Sequence, residues 1–352
     1  MNLNLDGHKL HYHPQRIAEL LDKGDCYPLY MEVSPVGSCN HRCTFCAYDY
    51  IGYPNRRLDT TVFLKLVDEL SDKGLKSMLY AGEGEPLMHP NIGEFITYTN
   101  SKGIDVGLYT NGDLLVKRLN DQIFKSLTFI RFSVNAGTKE VYNEIHKKDV
   151  FEKIIENIKY SVQLKKEYKL DTTLGIQFVL LPENIDTVEN IVKIASEIGV
   201  DYITIKPFVQ QSSQQFYQMK RQFKLNELET LFTTLEQYST ENFKVIARVN
   251  AFENYGKRDY DTCLGCNFTT VLNSAGEIAS CLPYWDKKDF VYGNINENSF
   301  GEIWNSIQRQ KVKKYLENDL DVHKCPPNCR PNVINSYINE IKTPSVSHLN
   351  FI

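Results

Sequence analysis

The sequence predicts an α/β protein: a partial (β/α)6 barrel of the TIM type, followed by a small cysteine-rich α+β module. Three observations predict it. From residue 29 to about 250, short β-branched runs alternate with amphipathic stretches, the pattern of a parallel sheet built from βα units. The intervening stretches repeat their apolar residues at the helical period. Five of the nine cysteines arrive only after residue 255, among short strand-like pieces, as in a module too small to hold together without a staple.

Residues 1–28 contain one expected helix, Pro14 to Leu21, and form an N-terminal extension. The barrel is expected over 29–250. Its candidate strands are Leu29 to Val33, Ser77 to Ala81, Asp105 to Tyr109, Phe129 to Val134, Thr173 to Leu180, Tyr202 to Lys206 and Lys244 to Arg248. Between them, Phe63, Leu66, Val67 and Leu70 share one helix face. So do Phe151, Ile154, Ile155, Ile158 and Val162, and again Val188, Ile191, Val192, Ala195 and Ile198, each a core stripe. Asp59 is placed to cap the first of these helices and Pro90 to sit near the first turn of the next. The module is expected over 251–335, with strands Phe268 to Leu272 and Ile278 to Ser280 and a single helix, Ser299 to Tyr315. Residues 336–352 are expected as a tail.

The chain has 352 residues, 24% of them charged, and a net charge of −4, so it lacks the basic excess that drives nucleic-acid binding. The runs Lys165 to Lys169 and Lys311 to Lys314 are expected as solvated helix faces. No apolar stretch approaches a membrane span and Met1 to Lys9 lacks a secretion-signal core, so a cytoplasmic protein with no membrane partner is expected. Nine cysteines do not pair evenly, and in a reducing compartment clustered thiols bind metal or do chemistry.

Three of them, Cys39, Cys43 and Cys46, lie in one loop, Gly37-Ser38-Cys39-Asn40-His41-Arg42-Cys43-Thr44-Phe45-Cys46, directly after the first strand. Ligands gather at the carboxyl ends of strands in such barrels. Three thiolates leave one iron of a cubane open, much as a catalytic zinc site keeps a vacant position. A zinc site would need a fourth donor, for which His41 and Cys26 are the candidates. After the second strand comes Gly82-Glu83-Gly84-Glu85-Pro86, where glycine lets backbone approach a ligand and Glu85 can accept from an ammonium group. The third strand ends in Tyr109-Thr110-Asn111-Gly112. The fourth ends in Arg131-Phe132-Ser133-Val134-Asn135-Ala136-Gly137, with Ser133 and Asn135 on one face, to bind a ligand or to form the turn. Gln177 and Lys206 point inward from the fifth and sixth strands. Lys206 can hold an anion or cap the sheet edge. The late cysteines read Cys263-x-x-Cys266, Cys281 and Cys325-x-x-x-Cys329, with Gly276 five positions before Cys281, then Gly293-Asn294-Ile295 and Trp304.

Over roughly residues 29 to 330 these motifs resemble the radical S-adenosylmethionine (SAM) enzymes that carry a C-terminal auxiliary-cluster module of the SPASM or twitch type. The resemblance implies a [4Fe-4S] cluster on Cys39, Cys43 and Cys46 whose open iron chelates SAM, with Phe45 beside it. It implies that Gly84 and Glu85 hold the methionine amino group, with Glu83 replacing the family's first glycine. Asn111, Ser133, Asn135, Gln177 and Lys206 would line the rest of the SAM pocket. A second, auxiliary [4Fe-4S] cluster would take Cys281, Cys325 and Cys329, with Cys263 or Cys266 as fourth ligand. Alternatively Cys263, Cys266 and Cys281 form a three-thiolate site open to substrate, the spare thiol (Cys266) donates a hydrogen atom, or the module is a zinc ribbon.

The activity so implied is reductive cleavage of SAM to a 5'-deoxyadenosyl radical and hydrogen abstraction from a small polar substrate (a sugar, cyclitol or nucleotide-linked compound). A two-electron oxidation through the auxiliary cluster follows. Lys206, Arg248, Asp49 and Glu83 are candidates for the base, and a flavodoxin or ferredoxin for the reductant. The alternatives are a maturase that crosslinks or epimerises a peptide substrate, and a non-enzymatic zinc-binding interaction protein.

Overall fold

All seven barrel strands form, within one or two residues of their expected bounds, in the computed structural model, which describes residues 3, 5, 7–211, 213–219, 221–285 and 287–351. They are β1 Tyr30–Val33, β2 Ser77–Tyr80, β3 Asp105–Thr110, β4 Phe129–Ser133, β5 Thr173–Leu180, β6 Tyr202–Pro207 and β7 Lys244–Ala247. Each pairs in parallel with the next. Three further strands follow, β8 Thr269–Leu272, β9 Glu277–Ala279 and β10 Val291–Asn294. Among the described residues all ten form one sheet, in the order β10-β9-β8-β1-β2-β3-β4-β5-β6-β7. β8 lies parallel to β1, while β9 and β10 return antiparallel. The cysteine-rich segment therefore extends the barrel sheet at its first strand.

Alternation along the strands separates two faces. Met31, Val33, Met78, Tyr80, Ile130, Phe132, Ile203 and Ile205 join the helix stripes built on Phe63, Ile154 and Ile191 in one buried core. The opposite face, carrying Tyr30, Glu32, Tyr109, Arg131, Ser133, Gln177, Thr204 and Lys206, looks into the barrel. The helix Thr60–Asp72 starts where Asp59 accepts from the Val62 amide at 3.0 Å, as expected of a cap. Helix Ile92–Ser101 begins after Asn91, so Pro90 stands two residues before it.

One expected element is corrected. The helix expected from Ser299 to Tyr315 is two, Phe300–Trp304 and Ile307–Asn318, because Ser306 accepts from the Arg309 amide at 3.0 Å and starts a new one. Val291–Asn294 is a strand. Helix Val249–Glu253 spans the boundary placed at 250, and helix Asn332–Lys342 the one at 335. The latter covers the bottom of the sheet with the N-terminal helix Pro14–Lys23: Ile338 shares a buried cluster with Leu10, Ile17, Leu20 and Phe268, and Ile334 and Ile341 pack on it. No helix among the described residues is long and apolar enough to cross a membrane.

Candidate active site

The three-thiol loop leaves β1 at its carboxyl end and is pinned from three sides by backbone hydrogen bonds. Gly37 donates to the Arg56 carbonyl at 3.0 Å, Thr44 to the Ile145 carbonyl at 2.8 Å, and Glu85 to the Ser38 carbonyl at 3.0 Å. Arg42 donates to the Cys39 and His41 carbonyls at 2.6 and 2.7 Å and lies 4.2 Å over the Tyr53 ring. The Cys43 sulfur is 3.1 Å from Nδ1 of His146, a ring that burial and the neighbouring His41 hold neutral, its pKa lowered to about 3. Burial raises all three thiols, Cys39 to about 12, and for Cys43 the neighbouring Cys46 and Cys39 add to it. Three soft donors that cannot comfortably ionise side by side, on a rigid loop, fit a cluster whose iron charge takes over their negative charge.

Gly84 makes that loop possible: a Cβ there would strike the Ser38 and Val36 carbonyl oxygens. The next residue, Glu85, is buried and its carboxylate is already engaged. It accepts from the Thr110 hydroxyl at 2.6 Å, the Leu87 amide at 3.1 Å and the Asn111 amide at 2.8 Å, while burial pushes its pKa up to about 7. The Asn111 side chain contacts Asn40 Oδ1 and His41 Nδ1, both at 2.8 Å. Asn135 Oδ1 accepts from the Val179 amide at 2.7 Å. Asn111 thus braces its strand end against the cysteine loop, while Glu85 and Asn135 tie neighbouring strand ends to one another. By contrast, no hydrogen bond from a described residue reaches the side chains of Ser133, Gln177 or Lys206, all half-buried inside the barrel. Phe45 stands edge-on to His146 at 5.7 Å and packs against the buried cluster of Val179, Leu181, Phe208 and Tyr217.

The four candidates for a base separate in the same way. Asp49 accepts from the Gln215 and Phe216 amides at 2.9 and 2.8 Å. Glu83, in the place of a glycine, is a buried link: Arg56 lies 3.1 Å away and the Ser274 hydroxyl donates to its other oxygen, so it ties the β2 turn to the β8–β9 turn. Lys206 stays inside the barrel, where burial and then Arg248, Arg131 and Arg330 push its pKa down to about 7, opposed by Glu32. Arg248 follows β7, its amide donating to the Ile205 carbonyl at 2.9 Å.

Cys263 and Cys266 precede β8, and Cys281 follows β9, which runs back along it. This second thiol group thus sits at the end of the sheet opposite the three-thiol loop. Cys325 and Cys329 complete it: after burial, Cys263 is the main influence raising the thiols of Cys281, Cys325 and Cys329. Cys266 is buried, its sulfur 3.0 Å from the Cys263 carbonyl. A sulfur–sulfur contact pulls Cys263 down and pushes Cys266 up. Asn335 donates to the Cys263 sulfur at 3.5 Å. Among the described residues no three His, Cys, Asp or Glu side chains stand close enough to share a single metal ion, as zinc with bonds of about 2.3 Å requires.

Sequence reasoning missed His146, more than 90 residues from the loop it supports, which no spacing rule reaches. It also missed Arg131 and Glu32, although both sit inside otherwise apolar strands, where charge is a signal. Arg330, directly after Cys329, pairs with Glu32 at 2.7 Å.

A parallel βα sheet with three cysteines on the loop after its first strand, and a second thiol group at its other end, defines an iron–sulfur enzyme built on an open barrel. The radical SAM superfamily description matches residues 33–195, and that of the SPASM iron–sulfur cluster-binding domain matches residues 263–331. The chain belongs to the radical SAM superfamily and carries a SPASM-type module at its C-terminus. Its cofactors are SAM with a [4Fe-4S] cluster, and auxiliary iron–sulfur in the module.

The chain is 22% identical to a tungsten-containing aldehyde ferredoxin oxidoreductase cofactor-modifying protein of Pyrococcus furiosus, over 82% of this chain and 84% of that one. It is 24% identical to a GTP 3',8-cyclase of Chlorobaculum tepidum, over 83% and 91%. In fold it is similar to SuiB of Streptococcus suis bound to S-adenosylmethionine, with a TM-score of 0.68 and 16% identity over 96% of this chain and 79% of that one.

Proposed function

We propose that this protein oxidises a small polar substrate by two electrons, starting from reductive cleavage of SAM. The observation that carries the reading is the placement of two largely half-buried thiol groups at opposite ends of the sheet, with a polar barrel interior between them. Cys39, Cys43 and Cys46 would hold the SAM-binding cluster, and the Cys263 group the auxiliary one. When bound, the first cluster with SAM supplies a 5'-deoxyadenosyl radical that takes hydrogen from an unactivated C–H bond, and the second supplies an acceptor for the electron left behind. A flavodoxin or ferredoxin would deliver the initiating electron.

The chain's own residues would do the rest. Ser133 and Gln177, whose side chains have no hydrogen-bond partner among the described residues, would orient SAM or substrate. Oxidation of an alcohol carbon also releases a hydroxyl proton, and Lys206 would take it. Of the four candidate bases it is the one inside the barrel whose charge changes near neutrality. A charged interior lined by Arg131, Lys206 and Glu32 supports a small polar substrate over a peptide.

Anaerobic reconstitution with SAM and dithionite should release 5'-deoxyadenosine, and the true substrate, deuterated, should pass deuterium into it. Protein that binds iron yet never cleaves SAM would overturn the reading. Lys206 accepts a proton only when neutral, and that fraction falls about tenfold per pH unit below its pKa. With the pKa lowered to about 7, kcat/KM for coupled turnover should rise with pH through that value and level off above it. In Lys206→Met the rise should vanish, and a variant that keeps it would exclude Lys206 as the base.

A further inference from the structure

The contact between His146 Nδ1 and the Cys43 sulfur, 3.1 Å long, has a direction that the other side of the ring fixes. Nε2 stands 3.4 Å from the Asn135 backbone amide and 3.4 Å from the Asn135 side-chain nitrogen. That side chain cannot turn its oxygen to the ring instead, because Oδ1 accepts from the Val179 amide at 2.7 Å. Nε2 therefore faces two N–H groups and accepts. A ring whose Nε2 accepts is neutral and carries its one hydrogen on Nδ1. That hydrogen is aimed at the Cys43 sulfur.

The ring is held in this orientation. Tyr142, one turn earlier on helix Lys139–His146, stacks on it with centroids 4.1 Å apart and planes at 19°, and Phe45 meets its edge. The cysteine loop is already fastened to the same helix end through its backbone, where the Arg42 and Thr44 amides donate to the His146 and Ile145 carbonyls at 3.3 and 2.8 Å. The loop thus has its anchorage without the imidazole. What the Nδ1 hydrogen adds is electrostatic. His146 is 2% exposed, and a dipole acts more strongly where water is excluded. Reducing a cluster places further negative charge on its sulfurs, so a hydrogen-bond donor at a ligand sulfur stabilises the reduced form over the oxidised one.

We propose that His146 acts through Cys43 as a positioning residue: its Nδ1 hydrogen, donated to the Cys43 thiolate, raises the reduction potential of the SAM-binding cluster. The proposal rests on the reading that Cys39, Cys43 and Cys46 hold that cluster, and it assigns the ease of the initiating electron transfer to a residue outside the loop.

The test is a potentiometric titration, followed by electron paramagnetic resonance, of the anaerobically reconstituted full chain without SAM. The SAM-binding cluster is the signal that Cys39→Ala lacks, and the auxiliary signal is the internal control. His146→Leu should lower the potential of the first by about 59 mV or more, a tenfold loss in the one-electron reduction equilibrium. Iron content and the auxiliary potential should stay unchanged. His146→Asn, whose amide nitrogen can take the place of Nδ1, should recover most of the loss. In the parent protein, histidine labelled at its ring nitrogens should show hyperfine coupling to the reduced first cluster. An unchanged potential in His146→Leu at full iron overturns the proposal. So does an equal loss in His146→Asn, which would trace the shift to packing. Should His146→Leu fail to take up iron, absence of histidine coupling in the labelled parent overturns it. Absence of any signal that Cys39→Ala removes defeats the cluster assignment itself, whatever the remaining potential.

Discussion

Alanine at any one of positions 39, 43 or 46 should abolish 5'-deoxyadenosine formation and remove about four iron atoms per chain. The expectation follows from how little slack the loop has. A cubane already short of one protein ligand would be left with two, and among the described residues no neighbour stands ready to replace the lost thiolate. His41, the nitrogen donor inside the loop, is held by Asn111 at 2.8 Å and by the Tyr142 hydroxyl at 3.2 Å. His146 faces Cys43 from the end of helix Lys139–His146 with its other nitrogen 3.4 Å from the Asn135 amide. The fold should survive, because the loop is tied down through the backbone of Gly37, Ser38 and Thr44 rather than through its sulfurs. Circular dichroism and thermal melting should therefore match the parent while iron and SAM cleavage are lost. Cleavage retained in any of the three variants would contradict the assignment.

The second large effect is expected at Cys281. Cys281→Ala should lower coupled turnover by about a hundredfold or more and leave uncoupled SAM cleavage within about a few-fold of the parent. The two thiol groups lie at opposite ends of the sheet, so loss of the second should deprive the substrate radical of its electron acceptor without disturbing the first. A purely structural staple predicts otherwise. β8 pairs residue for residue with β1, from Tyr30 opposite Thr269 to Val33 opposite Leu272, and Ser274 reaches Glu83 and Arg56. Loosening the module would therefore pull on the three-thiol loop through these contacts. Equal loss of both activities would show that the metal at Cys281 serves as a staple.

The parts of this protein governed by local physics were legible in the sequence. Strands β1 to β7 could be read because β-branched residues cluster in runs of the right length, and the helices because Phe63, Ile154 and Ile191 repeat at the helical period. The first thiol group was legible because its spacing lies within a single loop, whereas the second, split among Cys263 and Cys266, Cys281, and Cys325 and Cys329, showed only as short paired spacings. What escaped depends on contacts distant in sequence. Glu85, Asn111 and Asn135 lie at the strand ends as expected. Their polar groups are engaged by Thr110, His41 and Val179, partners no local pattern reveals. Glu83 looked like a departure from a glycine motif and proves to be one end of a link to Ser274. Helix Asn332–Lys342 was overlooked although Ile334, Ile338 and Ile341 follow helical spacing, because the surface it covers is assembled from both termini. Arg330 shows its role only once the sheet brings Glu32 beside it.

The central claim is that the loop of Cys39, Cys43 and Cys46 leaves one iron free to bind SAM. Electron–nuclear double resonance on the reduced, oxygen-free protein, mixed with SAM labelled at its amino nitrogen and carboxylate oxygens, tests it most directly. Hyperfine coupling from those labelled nuclei to the cluster is the predicted result. A reduced cluster whose spectrum is unchanged by saturating SAM, with no such coupling, would contradict it.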